Sequence, residues 1–155
     1  MVPTLKILFL CTGNSCRSQM AEAWTRTLFP ERFEAQSAGT HPGHLDPRAV
    51  RVMDEVGIDM SGHRSKRIQE VAGTDFDYVI TVCDRARESC PVLPGKARRI
   101  HAGFDDPPQL AAGASTEEEA LAHYRRVRDQ IRDYVTNLPD LAAAREDGTP
   151  RGSPR

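Results

Sequence analysis

The chain has 155 residues, enough for one domain around a single core. Its 39% hydrophobic and 28% charged residues are ordinary for a soluble globular protein, and its formal charge of -1 provides no field to gather nucleic acid or an anionic membrane. The longest apolar runs fall far short of a bilayer span, and the N-terminus MVPTLKILFLC lacks the basic region and cleavage site of a signal peptide, so a cytoplasmic location is expected.

Leu5 to Leu10 is apolar except at Lys6, the pattern of a central parallel strand covered on both faces. After the loop CTGNSCRS, Met20, Trp24 and Leu28 recur every four residues, which predicts a helix that Pro30 stops. FEAQSAG, 33–39, reads as a second strand and HPGHLDP as a turn. Asp46 is placed to cap a helix with Pro47 at its first position; Ala49, Val50, Met53 and Val56 form its apolar stripe, and Gly57 ends it. SGHRSKRIQEVAG predicts another short helix, and FDYVITVC, 76–83, a third strand. DRARESCPVLPG reads as a loop, KARRIHAGF as the site of a fourth strand, and PPQLAAGAS as a loop.

Ser115 and Glu118, at capping-box spacing, open a long helix. Its Leu121, Tyr124, Val127, Ile131, Val135 and Leu138 share one face, and Pro139 ends it. The run HYRRVRDQIRDY alternates bases with acids at helical spacing, Arg125 with Asp129 for one, and reads as a solvated face. Residues 140–155 carry too little apolar surface to fold and are expected as a flexible tail, leaving 1–139 as the single catalytic domain. Alternating strands and helices predict an α/β fold, a parallel sheet flanked by helices on both faces. Ligands in such folds sit beyond the carboxyl ends of the strands. CTGNSCRS leaves the first strand there, Cys83 ends the third, and FDDP follows the fourth.

Four cysteines do not make a disulfide scaffold, and neither Cys11-x4-Cys16 nor Cys83-x6-Cys90 has the spacing of a zinc knuckle. Two close pairs in a reducing compartment point to redox or nucleophilic chemistry; the bland alternative, small buried hydrophobes, suits any one thiol better than all four. The five histidines (41, 44, 63, 101 and 123) have no metal-ligand spacing, and no metal is expected.

The loop from Cys11 to Arg17 has the length to curl around an anion, with the backbone N–H groups of Thr12, Gly13, Asn14, Ser15 and Cys16 turned inward and a helix N-terminus behind them. Gly13 is expected to take a backbone angle that other residues resist. Arg17 offers paired donors to a tetrahedral oxyanion. Cys11 is placed as the nucleophile, with Ser18 in reach of its sulfur.

This C-x5-R-S loop near the N-terminus, followed by Q-M-A-E, resembles the active-site loop of the low-molecular-weight protein tyrosine phosphatases over about residues 5 to 138. The resemblance implies a four-stranded parallel sheet with flanking helices. It also implies a general acid at Asp106, which, rather than Asp105, matches the family's Asp-Pro pair. A turn is the plain alternative for that dipeptide. A phosphatase has no use for thiols at 83 and 90. The stretch TVCDRARESCPVLPG resembles instead the thioredoxin-coupled arsenate reductases, built on the same scaffold.

That second resemblance implies a relay. Cys11 attacks arsenate, Cys83 attacks Cys11 as arsenite leaves, and Cys90 attacks Cys83; the resulting Cys83–Cys90 disulfide is reduced by thioredoxin. No bound cofactor is implied. A disulfide needs α-carbons about 4.4–6.8 Å apart, so the 84–94 loop is expected to move. Cys16 receives no catalytic role. No aromatic residue follows the Asp-Pro, where the sequence reads Pro108, Gln109, Leu110; this favours a small inorganic oxyanion over a phenyl phosphate. Some family members hold a potassium ion behind the loop. Its side-chain ligands match Asn14, Glu22 and Ser37, but an aspartate position is taken by Lys66, whose ammonium is expected in the ion's place, with a solvated lysine as the alternative.

The leading expectation is an arsenate reductase with residual phosphatase activity. The first rival is a phosphatase that hydrolyses phosphomonoesters through a phosphocysteine at Cys11. A non-enzymatic metal- or arsenite-binding protein is the other, and it has no need of Arg17 or Asp106.

Overall fold

β1 (Leu5–Cys11) is the strand on which the molecule is organised. Ile7, Leu8, Phe9 and Leu10 are each at most 1% exposed, so residues pointing to opposite faces of the sheet are equally covered. The computed structural model describes residues 4–83 and 97–146. Parallel pairing joins β1 to β2 (Phe33–Gly39) and to β3 (Tyr78–Thr81), and β3 to β4 (Arg98–His101), in the order β2-β1-β3-β4. The first crossover therefore runs from β1 to one side and the next carries the chain to the other. The carboxyl ends of β1 and β3 flank that reversal, where open parallel sheets bind ligands. The expected four-stranded parallel α/β architecture is the one observed.

α1 (Arg17–Leu28) packs on β1 and β2 and against the long α4 (Glu117–Thr136), which also holds α2 (Pro47–Asp54) and α3 (Pro107–Ala111). α2 begins as its sequence dictates: the Asp46 side chain accepts from Arg48 N at 2.9 Å, with Pro47 in the first turn. Leu121, Tyr124, Val127, Ile131, Val135 and Leu138 are all buried, as their spacing requires.

Several local expectations are corrected. Residues 61–73 form only a 3-10 turn, Ile68–Glu70, because the backbone before it is engaged elsewhere: Lys66 donates its N–H to Asn14 Oδ1 and its carbonyl accepts from Gly39 N. The third strand is shorter than 76–83. Pro107–Ala111 is helical where a loop was expected, with Pro107 at a first-turn position that needs no donor. The cap of α4 is Thr116, whose hydroxyl accepts from Glu119 N at 3.1 Å, one residue beyond the expected Ser115–Glu118 pair. Pro139 does not end the helical region: it lies in the first turn of α5 (Leu138–Glu146), and Leu138 and Ala142 are buried, so helix occupies the start of the expected tail. Residues 147–155 lie outside the described residues.

The basic face of α4 also differs from its expected form. Arg125 pairs with Glu55 and Glu118 rather than with Asp129. Arg128 is buried and donates to Val52 O at 2.9 Å and Glu55 Oε1 at 3.0 Å.

Candidate active site

β1 ends at Cys11, and α1 starts at Arg17 with Cys16 as its N-cap. α1 has no side-chain cap and no acidic residue in its first turn. Its leading N–H groups are therefore left for an anion. Between strand and helix, Asn14 is the residue with a positive φ, 49°. Gly13 does not adopt the left-handed conformation expected of it; the tight turn falls one residue later, on a side chain type that tolerates it. The glycine that geometry does require is Gly39. A Cβ there would lie 2.5 Å from Thr12 O and 3.0 Å from Asn14 N, so the loop packs directly on its backbone. Gly39 is missed in the sequence, where its place at the end of FEAQSAG is the one signal; the sheet register sets it beside Cys11.

Cys11 Sγ lies 3.0 Å from Ser18 Oγ and accepts from Asn14 N at 3.2 Å. Asn14 Oδ1 accepts from Lys66 N at 2.8 Å, which turns its Nδ2 toward Ser18 Oγ, 2.8 Å away. Ser18 thus receives one hydrogen bond from Asn14 and has its own proton left to donate to the Cys11 sulfur. Gln19, also missed in the sequence, closes the back of the loop. Its Nε2 faces Asn14 O, Asn14 Oδ1 and Arg64 O at 3.0, 3.1 and 2.9 Å, and its Oε1 lies 2.9 Å from His63 Nδ1. Burial holds the His63 imidazole below its ordinary pKa, against the opposing pull of Glu22.

Glu22 is a buried carboxylate on α1. Ser37 donates to its Oε1 at 2.6 Å, Arg26 lies 3.1 Å from Oε2, and Lys66 Nζ is 3.9 Å from Oε1. Asn14, Glu22, Ser37 and Lys66 are thus gathered in one place behind the loop. A potassium ion does not fit this set, because the Lys66 ammonium already faces the carboxylate the ion would need. Burial lowers the Lys66 pKa, and the Glu22 charge opposes that shift.

In front of the loop stands the segment after β4. Arg17 Nη1 donates to Phe104 O at 2.9 Å, and its Nη2 lies 3.7 Å from Asp106 Oδ2. Asp106 is the N-cap of α3 but makes no side-chain cap, so its carboxylate stays turned to the site. Asp105 points elsewhere, to Arg126 at 3.1 Å. Arg17, Gly103, Phe104 and Asp105 line an open cleft of about 310 Å³. The Phe104 ring packs edge-on against Tyr134.

Of the other thiols, Cys83 is buried just past β3, with its sulfur 3.4 Å from Thr12 Oγ1. Cys16 is buried too; burial, then the Asp46 carboxylate and Cys11, push its thiol well above the ordinary range, and it stands as a neutral packing group. Cys11, Cys16 and Cys83 are free thiols. Cys90 and the 84–94 loop lie outside the described residues. Among the described residues no cluster of histidine, cysteine and acids could hold a metal, and no helix is long and apolar enough to cross a membrane.

Residues 6–147 match the family described as low molecular weight phosphotyrosine protein phosphatase. An arsenate reductase of Bacillus subtilis (strain 168) is 46% identical over 125 residues, 81% of this chain and 88% of that protein. A solved arsenate reductase in the phosphate binding state superposes with a TM-score of 0.68 at 32% identity, covering 89% of this chain and 98% of that one. A low molecular weight protein tyrosine phosphatase from T. tengcongensis gives 0.67 at 26% identity, covering 89% and 99%. With its cysteine-arginine loop at the head of the first helix and an Asp-Pro facing it, the chain belongs to the low-molecular-weight phosphotyrosine protein phosphatase family.

Proposed function

We propose that this protein reduces arsenate to arsenite by a relay of Cys11, Cys83 and Cys90, with reduced thioredoxin as the electron donor. The observation that carries the reading is the Cys83 sulfur against Thr12, the residue next to the nucleophile. Hydrolysis of a phosphate ester has no use for a thiol there. The arsenate reductases among the relatives, one of them solved with phosphate, support the same choice.

The Cys11 thiolate attacks arsenic(V); an As–S bond forms, an As–O bond breaks, and Asp106 supplies a proton so that water leaves. Cys83, as thiolate, then attacks Cys11 Sγ. An S–S bond forms, and the Cys11–As bonding pair stays on arsenic, which departs as arsenite. Arsenic has gained two electrons and the two sulfurs have lost them. Cys90 attacks Cys83, releasing Cys11 as a thiolate, and the thioredoxin dithiol reduces the Cys83–Cys90 disulfide. Arg17 and the loop N–H groups hold the oxyanion, and Ser18 stabilises the sulfur as nucleophile and leaving group. A cytoplasmic location goes with a thioredoxin partner. Behind the loop, the Lys66 ammonium serves where some family members use potassium.

The test is NADPH consumption with thioredoxin, thioredoxin reductase and arsenate. Cys83→Ser and Cys90→Ser should each abolish turnover while leaving hydrolysis of an aryl phosphate by Cys11 intact. Full arsenate turnover in both variants would refute the relay; aryl phosphate turnover with no arsenate reduction in the native protein would leave the hydrolase.

A further inference from the structure

HPGHLDP, 41–47, looks like a plain turn in the sequence, but four backbone N–H groups of Thr40 to Asp46 are spent on the oxyanion loop. Thr40 N donates to Cys11 O at 3.2 Å, His41 N to Thr12 O at 2.8 Å, Gly43 N to Gly13 O at 3.0 Å, and Asp46 N to Ser15 O at 2.9 Å. The remaining carbonyl, Asn14 O, is taken by Gln19 Nε2 at 3.0 Å and Ser65 Oγ at 2.7 Å. Every carbonyl from residue 11 to 15 is therefore bonded to a partner outside the loop.

A trans peptide group points its N–H opposite to its C=O, and among the described residues no peptide bond is cis. Fixing five carbonyls outward turns the N–H groups of residues 12 to 16 to the inner side. Asn14 N, directed at Cys11 Sγ, already has that orientation. Concave runs of such N–H groups bind anions.

The collar is itself anchored at one residue. Asp46 Oδ2 accepts from Tyr124 Oη at 2.5 Å, and Oδ1 accepts from Arg48 N at 2.9 Å. Tyr124 is 1% exposed on α4, so the bond ties the collar to the core. We infer that the segment 40–46 is the positioning element of the oxyanion site, setting the direction of the loop's donors, and that Asp46 holds it in place through Tyr124. The inference rests on the reading of the loop as an oxyanion site and not on the sulfur relay.

The experiment is calorimetric titration of the reduced full-length protein with inorganic phosphate, together with kcat and KM for arsenate. Gly43→Pro removes the N–H that holds Gly13 O. Gly43→Ala keeps that N–H and adds a methyl group where nothing lies within 4 Å, and serves as the reference. Relative to it, Gly43→Pro should weaken phosphate binding about tenfold and raise KM for arsenate in step, with a smaller change in kcat. Tyr124→Phe should weaken phosphate about threefold with the same split. A folded Gly43→Pro with the phosphate affinity of Gly43→Ala overturns the inference. If Gly43→Pro does not fold, an unchanged affinity in Tyr124→Phe overturns it. A native protein that binds no phosphate would instead remove the oxyanion reading on which both rest.

Discussion

Behind the oxyanion loop, Asn14, Ser18, Gln19 and Ser37 are all 0% exposed; the first three bond to one another and to neighbouring backbone, and Ser37 donates to the buried Glu22 carboxylate. In front of it, the Asp105 and Asp106 side chains are 65% and 39% exposed, and their partners are Arg126 and Arg17. The rear is built from buried hydrogen bonds, where losing one partner strands the other at a cost of about 1–3 kcal/mol. The front is built from exposed ion pairs, worth about 0–1 kcal/mol each. On that contrast the rear is expected to be the preformed half and the front the half that yields to a ligand.

Arg17 belongs to both halves, and its replacement should have the largest effect. Arg17→Lys keeps a charge but loses the planar pair of donors and the bond to Phe104 O; kcat/KM for arsenate should fall about a hundredfold to a thousandfold in the coupled assay. Near-native activity would mean that the guanidinium is a strut between the halves rather than a ligand.

Asp106 tests the front alone. Asp106→Asn should lower kcat for aryl phosphate hydrolysis about a hundredfold, with little change in phosphate affinity, because the rear that forms the cradle is untouched. An equal loss of affinity would show that the halves are not separable. The smallest effect is expected at the rear: with Lys66 facing Glu22, potassium and sodium chloride at equal ionic strength should give the same arsenate turnover. A several-fold gain with potassium would place a cation where the ammonium stands.

The two halves were not equally legible in the sequence. Cys11, Arg17, Ser18 and the Asp-Pro are contiguous in motifs, so their spacing alone led to one rim of the sheet. β1 and α2 were legible for a similar reason: an apolar run broken only by Lys6, and an Asp-Pro start whose cap is local. What supports the loop comes from far along the chain. Gly39 and the collar act through backbone contacts that leave no side-chain signature, Ser65 reaches Asn14 O from 51 residues away, and Arg128 is hidden in a run of charges that looks solvated. Proline is ambiguous in the sequence. Pro107 and Pro139 each sit in the first turn of a helix, where the missing N–H costs nothing, so the same residue that can stop a helix marks a start.

The central claim is that electrons leave through Cys83 and Cys90. It is tested most directly by a single turnover of fully reduced protein with arsenate and no thioredoxin, quenched in acid and mapped by peptide mass spectrometry. One arsenite should form per chain, the four thiols should fall to two, and the bridge should join Cys83 to Cys90, or Cys11 to Cys83 when Cys90 is replaced by serine. Arsenite formed with all four thiols still free, or with a bridge that excludes Cys83, would contradict the account.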